Sequence, residues 1–148
     1  MLPVFWSSLC GTTSDSLEEI VESRLIRVMV ADHNPLMREG LALLVRMQKD
    51  MQLVGTAATA EESVRMYLEH RPDLALMDLD MASHAALGAI RKIRAYDPDA
   101  RIIGLATYER DAAWTEALAA GVSQCVAKNE LSAGLPGLIR KVTSGRMH

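Results

Sequence analysis

The sequence predicts an α/β fold: a doubly wound, five-stranded parallel sheet with helices on both faces. Three observations carry that expectation. From Leu25 onward, short apolar runs alternate with segments whose apolar residues recur at helical spacing, and the pair repeats five times. Pro72, Asp97-Pro98 and Gly121 stand where helices should stop. The third apolar run, Leu74 to Met77, carries no polar residue, as expected of a strand covered on both faces.

The elements follow in order. Ile26 to Ala31 is short, apolar and rich in β-branched residues, and reads as the first strand. Pro35 suits the first turn of a helix on which Met37, Gly40, Leu41 and Leu44 are expected to share one face. Met51 to Ala57 is the second strand. Thr59 then has capping-box spacing to Glu62, and Val64, Tyr67 and Leu68 give that helix its apolar side. Leu74 to Met77 is the third strand, and Ala86, Ile90 and Ile93 mark the helix after it. Arg101 to Ala106 is the fourth strand, followed by a helix with Ala113, Ala117 and Leu118 and closed by Gly121. Gln124 to Ala127 is the fifth strand. Leu135, Leu138, Ile139 and Val142 make the last helix, which Gly134, Pro136 and Gly137 should weaken. Right-handed crossovers leave few arrangements of five such strands. The common one is the flavodoxin-like order 2-1-3-4-5, whose functional crevice lies at the carboxyl ends of strands one and three.

A chain of 148 residues fits one such domain, expected over 25–146. Residues 1–24 read as an extension, either a flexible overhang or a short helix at 16–24 with Ser16 and Glu19 at capping-box spacing; the overhang is the preferred reading. The formal net charge of −3 argues against nucleic acid or an anionic membrane as the main partner. Cys10 and Cys125 have no metal-binding or redox spacing and are expected to be reduced thiols. The apolar stretch Leu2 to Trp6 is too short for a signal-peptide core, and no run reaches the length of a membrane span, so a cytoplasmic location is expected.

The topology demands that chemistry gather where strands finish. Strand one ends at Asp32-His33, strand three at Asp78, strand four at Ala106-Thr107 and strand five at Lys128. Two carboxylates, an imidazole, a hydroxyl and an ammonium should therefore meet on one rim. Such a group suits a divalent cation and a phosphoryl group held together. A carboxylate can attack phosphorus to form an acyl phosphate. Catalysis is then positioning and charge neutralisation, for which Lys128 supplies a fixed positive charge. Each residue alone is ordinary, since strand-end Asp residues often cap turns; the joint placement raises the odds.

The run VADHNPLMREGLALLV at 30–45, the run RPDLALMDLDM at 71–81 and the run ALAAGVSQCVAKNEL at 117–131 carry a family resemblance. Residues 26–145 resemble the response-regulator receiver domain, and within it the subfamily that usually bears a helix-turn-helix output domain. The resemblance implies that Asp78 is the phosphoacceptor and that Lys128 contacts the phosphoryl group. It implies that Asp32 is the first acid of the family's acidic pair and that the main-chain carbonyl of Asp80 ligates Mg2+. The chain also departs from the pattern. His33 stands where the second, metal-binding acid is usual. Ala106 replaces the switching Thr or Ser, and Cys125 replaces the aromatic residue coupled to it. Ala82 replaces a proline. Thr107 is one residue late and should point to the other face. An imidazole suits zinc, nickel or copper better than Mg2+, so Mg2+ binding should be weak. With the chain ending at His148, a receiver without an output domain is expected.

Two functions compete. One is a stand-alone receiver that takes a phosphoryl group from a histidine kinase at Asp78. The other is a pseudo-receiver that binds a kinase or a receiver homologue independently of phosphorylation. The fourth and fifth helices are the expected interaction surface, including for a homodimer. Catalysis of its own is not expected. The Asp78-Leu79-Asp80 pair only weakly resembles that of haloacid dehalogenase-type phosphatases, whose pair opens the first strand. A flavin-nucleotide site is disfavoured because Asp32-His33-Asn34-Pro35 lacks the Gly or Ser/Thr loop that cradles phosphate.

Overall fold

The computed structural model describes residues 25–81 and 85–145. Five strands form one sheet: β1 (Ile26–Ala31), β2 (Met51–Ala57), β3 (Leu74–Asp78), β4 (Ile102–Ala106) and β5 (Gln124–Ala127). All neighbouring strands are parallel, in the order β2-β1-β3-β4-β5. Between and after them run α1 (Pro35–Arg46), α2 (Ala60–His70), α3 (Ala85–Tyr96), α4 (Ala112–Ala119) and α5 (Leu131–Thr143). The predicted architecture and strand order are thus observed. The expected short helix at 16–24, Cys10 and Ala82 lie outside the described residues.

Alternation along each strand builds two cores, one on each side of the sheet. Leu74 and Leu76 of β3 face a cluster with Leu41 and Val45 of α1 and Leu135 and Ile139 of α5. Ala75 and Met77 face the other side, with Tyr67 of α2, Ile90 and Ile93 of α3 and Ala117 of α4. Because β3 and β4 are buried at every residue, their apolar runs are continuous.

Local signals set the helix ends. Asn34 caps α1 by accepting from the amides of Leu36 and Met37. Thr59 accepts from the amide of Glu62, whose carboxylate reaches back to the amide of Ala58. Arg71, with φ 47, closes α2 one residue before Pro72. Gly121 lies past the end of α4 with φ 102, a conformation costly for any side chain. A Cβ there would also sit 2.7 Å from Nε of Arg94. Gly121→Ala is expected to cost about 1–3 kcal/mol in a urea titration. A midpoint unchanged from wild type would show that the turn relaxes freely.

One expectation needs correction. The face expected of α1 is rotated: Leu41, Ala42 and Val45 are buried, Met37 and Leu44 are half-buried, and Gly40 is exposed. The run Leu41-Ala42-Leu43-Leu44-Val45 offers two apolar registers, and the sheet takes the one that seats Val45 at 1% exposure. The last helix forms as expected, and α5 runs through Pro136. Pro136 forfeits one hydrogen bond near the start of the helix. Buried Leu131, Leu135 and Ile139 offset that loss, and Arg101 donates to the carbonyl of Val142 at the far end.

Candidate functional site

The carboxyl ends of β1, β3 and β5 bring three charged residues together. Asp32 follows β1, Asp78 is the last residue of β3 and Lys128 is the first after β5. Both carboxylates are fully buried at 0% exposure. The ammonium Nζ of Lys128 lies 2.8 Å from Oδ1 of Asp78, 3.6 Å from Oδ2 of Asp32 and 3.9 Å from Oδ2 of Asp80. One cation therefore serves three anions.

Backbone donors hold the carboxylates in place. The amide of Asn34 donates to Oδ1 of Asp32 at 2.9 Å, and the amide of Asp80 to Oδ1 of Asp78 at 2.9 Å. Each is an Asp bonding the chain two residues on, the turn-forming habit of the residue. Arg38 of α1 donates to the carbonyl of Asp32 at 2.9 Å and ties the loop to its helix.

The charges follow from these contacts. Burial pushes the Asp32 carboxyl above the usual range; the Asn34 amide opposes that, and the neighbouring charge of Asp78 adds to it. Burial pushes Asp78 upward too, but bonds from Lys128, the Asp80 amide and His33 outweigh it and hold Asp78 below the usual range. Burial alone would lower Lys128, yet Asp78, Asp32 and Asp80 together raise it. An ionised Asp78 beside a charged Lys128 is the result.

Three contacts were not legible in advance. Nδ1 of His33 lies 2.5 Å from Oδ2 of Asp78 and 3.8 Å from Oδ1 of Asp32. Thr107 does not turn away from the site: its hydroxyl and its amide both donate to Oδ2 of Asp80, at 2.7 and 2.8 Å. The two-residue alternation fails there because β4 ends at Ala106, and Thr107 is already loop. Asp80 thus contributes its carboxylate to the rim. The spacing Asp78-x-Asp80 beside a strand end was the signal available for that. Ala106 is fully buried and Cys125 nearly so, both in the core on the α2–α4 side of the sheet. Cys125 donates to the carbonyl of Trp114 at 3.8 Å. Burial, with the charge of Asp111, pushes its thiol up to about 11, so it stays protonated at neutral pH.

Asp32, His33 and Asp78 can each point one ligand atom at a common spot, those atoms lying within 4.8 Å of one another. Oδ2 of Asp32 is buried and receives no hydrogen bond among the described residues, as a cation ligand would be left without its cation. The two carboxylates fit Mg2+, an ion of oxygen ligands; the imidazole nitrogen does not.

The model of the response regulator receiver domain matches residues 28–140. The chain belongs to that family. This receiver is 32% identical over 124 residues to response regulator GacA of Pseudomonas viridiflava, an alignment covering 84% of this chain and 58% of the relative. It superposes on a LuxR-family two-component response regulator from Aurantimonas sp. SI85-9A1 with TM-score 0.76 at 33% identity, covering 82% of this chain and 86% of that one. It superposes on the response regulator domain of Thermotoga maritima CheB with TM-score 0.75 at 29% identity, covering 82% and 98%. The receiver spans a little over half the length of the curated relatives it matches. Receiver domains bind Mg2+ at an acidic pocket and interact with histidine kinases and other regulators. In this receiver Asp32, His33 and Asp78 cluster at the strand ends, an imidazole standing beside two acids. Among the described residues, no helix is long and apolar enough to cross a membrane.

Proposed function

We propose that this receiver accepts a phosphoryl group at Asp78 from a histidine kinase. The observation that carries the reading is the ammonium of Lys128 at 2.8 Å from a buried, ionised Asp78 carboxylate. An Asp78 oxygen attacks the phosphorus of a phosphohistidine; a P–O bond forms as the P–N bond breaks, and the leaving imidazole nitrogen takes a proton. Lys128 faces the negative oxygens of the moving group, and the Asp80 amide holds the nucleophile still. Mg2+, where bound, supplies further charge neutralisation. The receiver acts in the cytoplasm, and its partner is a protein rather than nucleic acid. The test is incubation with a small acyl phosphate and Mg2+, read by intact mass, for wild type and Asp78→Asn.

A second reading is a phosphorylation-independent interaction module. His33 sitting on Asp78 and the loss of the hydroxyl at Ala106 both favour it. It predicts a protein that binds its partner equally well in the Asp78→Asn form.

Mg2+ affinity is expected to be weak, because a neutral or cationic ring replaces an anionic ligand at position 33. His33→Asp should tighten Mg2+ about tenfold or more in a calorimetric titration, the change in ligand charge being the cause. An unchanged affinity would show that position 33 does not reach the ion.

A further inference from the structure

Three donors stand together at the strand ends, and one of them is not an oxygen. Nδ1 of His33 lies 2.5 Å from Oδ2 of Asp78 and 3.8 Å from Oδ1 of Asp32. Among the described residues, no other group of three His, Cys, Asp or Glu side chains brings its ligand atoms within 4.8 Å of one another. Ligands placed tetrahedrally at about 2.1 Å from an ion stand about 3.4 Å apart, so a small shift of the His33 ring makes room for one. The ring has that freedom, because the His33 side chain is 53% exposed while both aspartates are fully buried. The same exposure gives an ion its way in from solvent.

The two carboxylates are held from behind. The Asn34 amide bonds Oδ1 of Asp32; the Asp80 amide and Lys128 bond Oδ1 of Asp78. Bonds of this kind fix the orientation of metal ligands. They leave the second oxygen of each carboxylate for an ion. Oδ2 of Asp78 meets His33. Oδ2 of Asp32 is buried and takes no hydrogen bond among the described residues, with Nζ of Lys128 too distant at 3.6 Å. The carboxylate of Asp80 is committed to Thr107, so the set stops at three.

The kind of donor decides the kind of ion. Two carboxylates alone would serve Mg2+, which demands oxygen ligands in an octahedron. An imidazole nitrogen suits the late first-row ions instead. Three protein ligands with one position left for water is the usual form of an open zinc site.

We propose that Asp32, His33 and Asp78 bind a late first-row divalent ion of the Zn2+ class, through Nδ1 of His33 and one oxygen of each carboxylate, in preference to Mg2+. The inference does not depend on Asp78 accepting a phosphoryl group, and binding is read with no phosphodonor present.

The experiment uses the full chain, freed of metal by dialysis against a chelator, and titrates Zn2+ and Mg2+ separately by calorimetry. Wild type is expected to bind one Zn2+ here at least about 100-fold more tightly than Mg2+. Zn2+ should also shift the NMR signal of the His33 ring nitrogen, which an ion held elsewhere would leave in place. His33→Ala should weaken Zn2+ at least about tenfold and leave Mg2+ nearly unchanged. His33→Asp should narrow the gap between the two ions at least about tenfold. Cys10→Ser is the control expected to change neither. Mg2+ bound as tightly as Zn2+ overturns the proposal, and so does a Zn2+ affinity indifferent to His33→Ala. Zn2+ that leaves the His33 signal unmoved, or that is lost with Cys10→Ser instead, overturns it too. Circular dichroism checks each fold; should His33→Ala unfold, His33→Gln takes its place with the same expected loss. A chain that binds Zn2+ in this way yet takes no phosphoryl group upholds this inference and overturns only the phosphoacceptor reading.

Discussion

With a small acyl phosphate and Mg2+, the wild-type chain is expected to gain one phosphoryl group and the Asp78→Asn chain none. The loss should be complete, because an amide oxygen does not form an acyl phosphate. The variant should still fold. Its amide oxygen can keep the bonds that the Asp80 amide and Lys128 now make to Oδ1. Lys128→Ala is expected to slow phosphorylation by about 10²–10³-fold, the usual cost of losing one fixed donor from a charge-developing site. It also leaves Asp32, Asp78 and Asp80 without their shared cation. A mass adduct that persists in Asp78→Asn and maps to another side chain overturns Asp78 as the acceptor. A folded wild type that takes no phosphoryl group hands the function to the phosphorylation-independent reading.

Much of this architecture was legible because it rests on short-range signals. β1, β2 and β5 have the bounds read from their apolar runs, and Asp97-Pro98 and Gly121 stop the helices they were expected to stop. The order of the strands was legible too, since handedness leaves so few choices. The meeting of Asp32, Asp78 and Lys128 followed from that order alone. What was not legible depends on rotation and on side chains choosing partners. The buried face of α1 was placed a little off, with exposed Gly40 included and buried Ala42 and Val45 left out, because only packing against the sheet decides which edge of the apolar stripe turns inward. Thr107 was assigned to the wrong side because the end of β4 falls one residue before it. No sequence pattern says whether His33 turns to Asp78 or to solvent; only the distance does.

Phosphorylation of Asp78 is expected to leave α4 and β5 nearly where they are. In the family's scheme a Thr or Ser hydroxyl follows the phosphoryl group and an aromatic ring fills the vacated space. Here Ala106 holds the first position, fully buried and without a hydroxyl. Cys125 holds the second, its thiol turned to the carbonyl of Trp114. The hydroxyl of Thr107, the next residue, is already committed to Asp80, as is its amide. A modification shifts a two-state equilibrium only through contacts that differ between the states. The lever that remains is Lys128, whose three carboxylate contacts a new anion on Asp78 would redistribute. Amide exchange across residues 106–128 should therefore change by less than about threefold, or about 0.6 kcal/mol, when a phosphoryl mimic binds. Ala106→Thr with Cys125→Tyr should restore a larger response in the same segment; Ala106→Ser alone serves if that pair overfills the core. Large changes in the wild type would mean that the signal leaves Asp78 by another route. Thr107→Val would then show whether the Asp80–Thr107 pair is that route, because it removes the hydroxyl donor while leaving the amide bond in place.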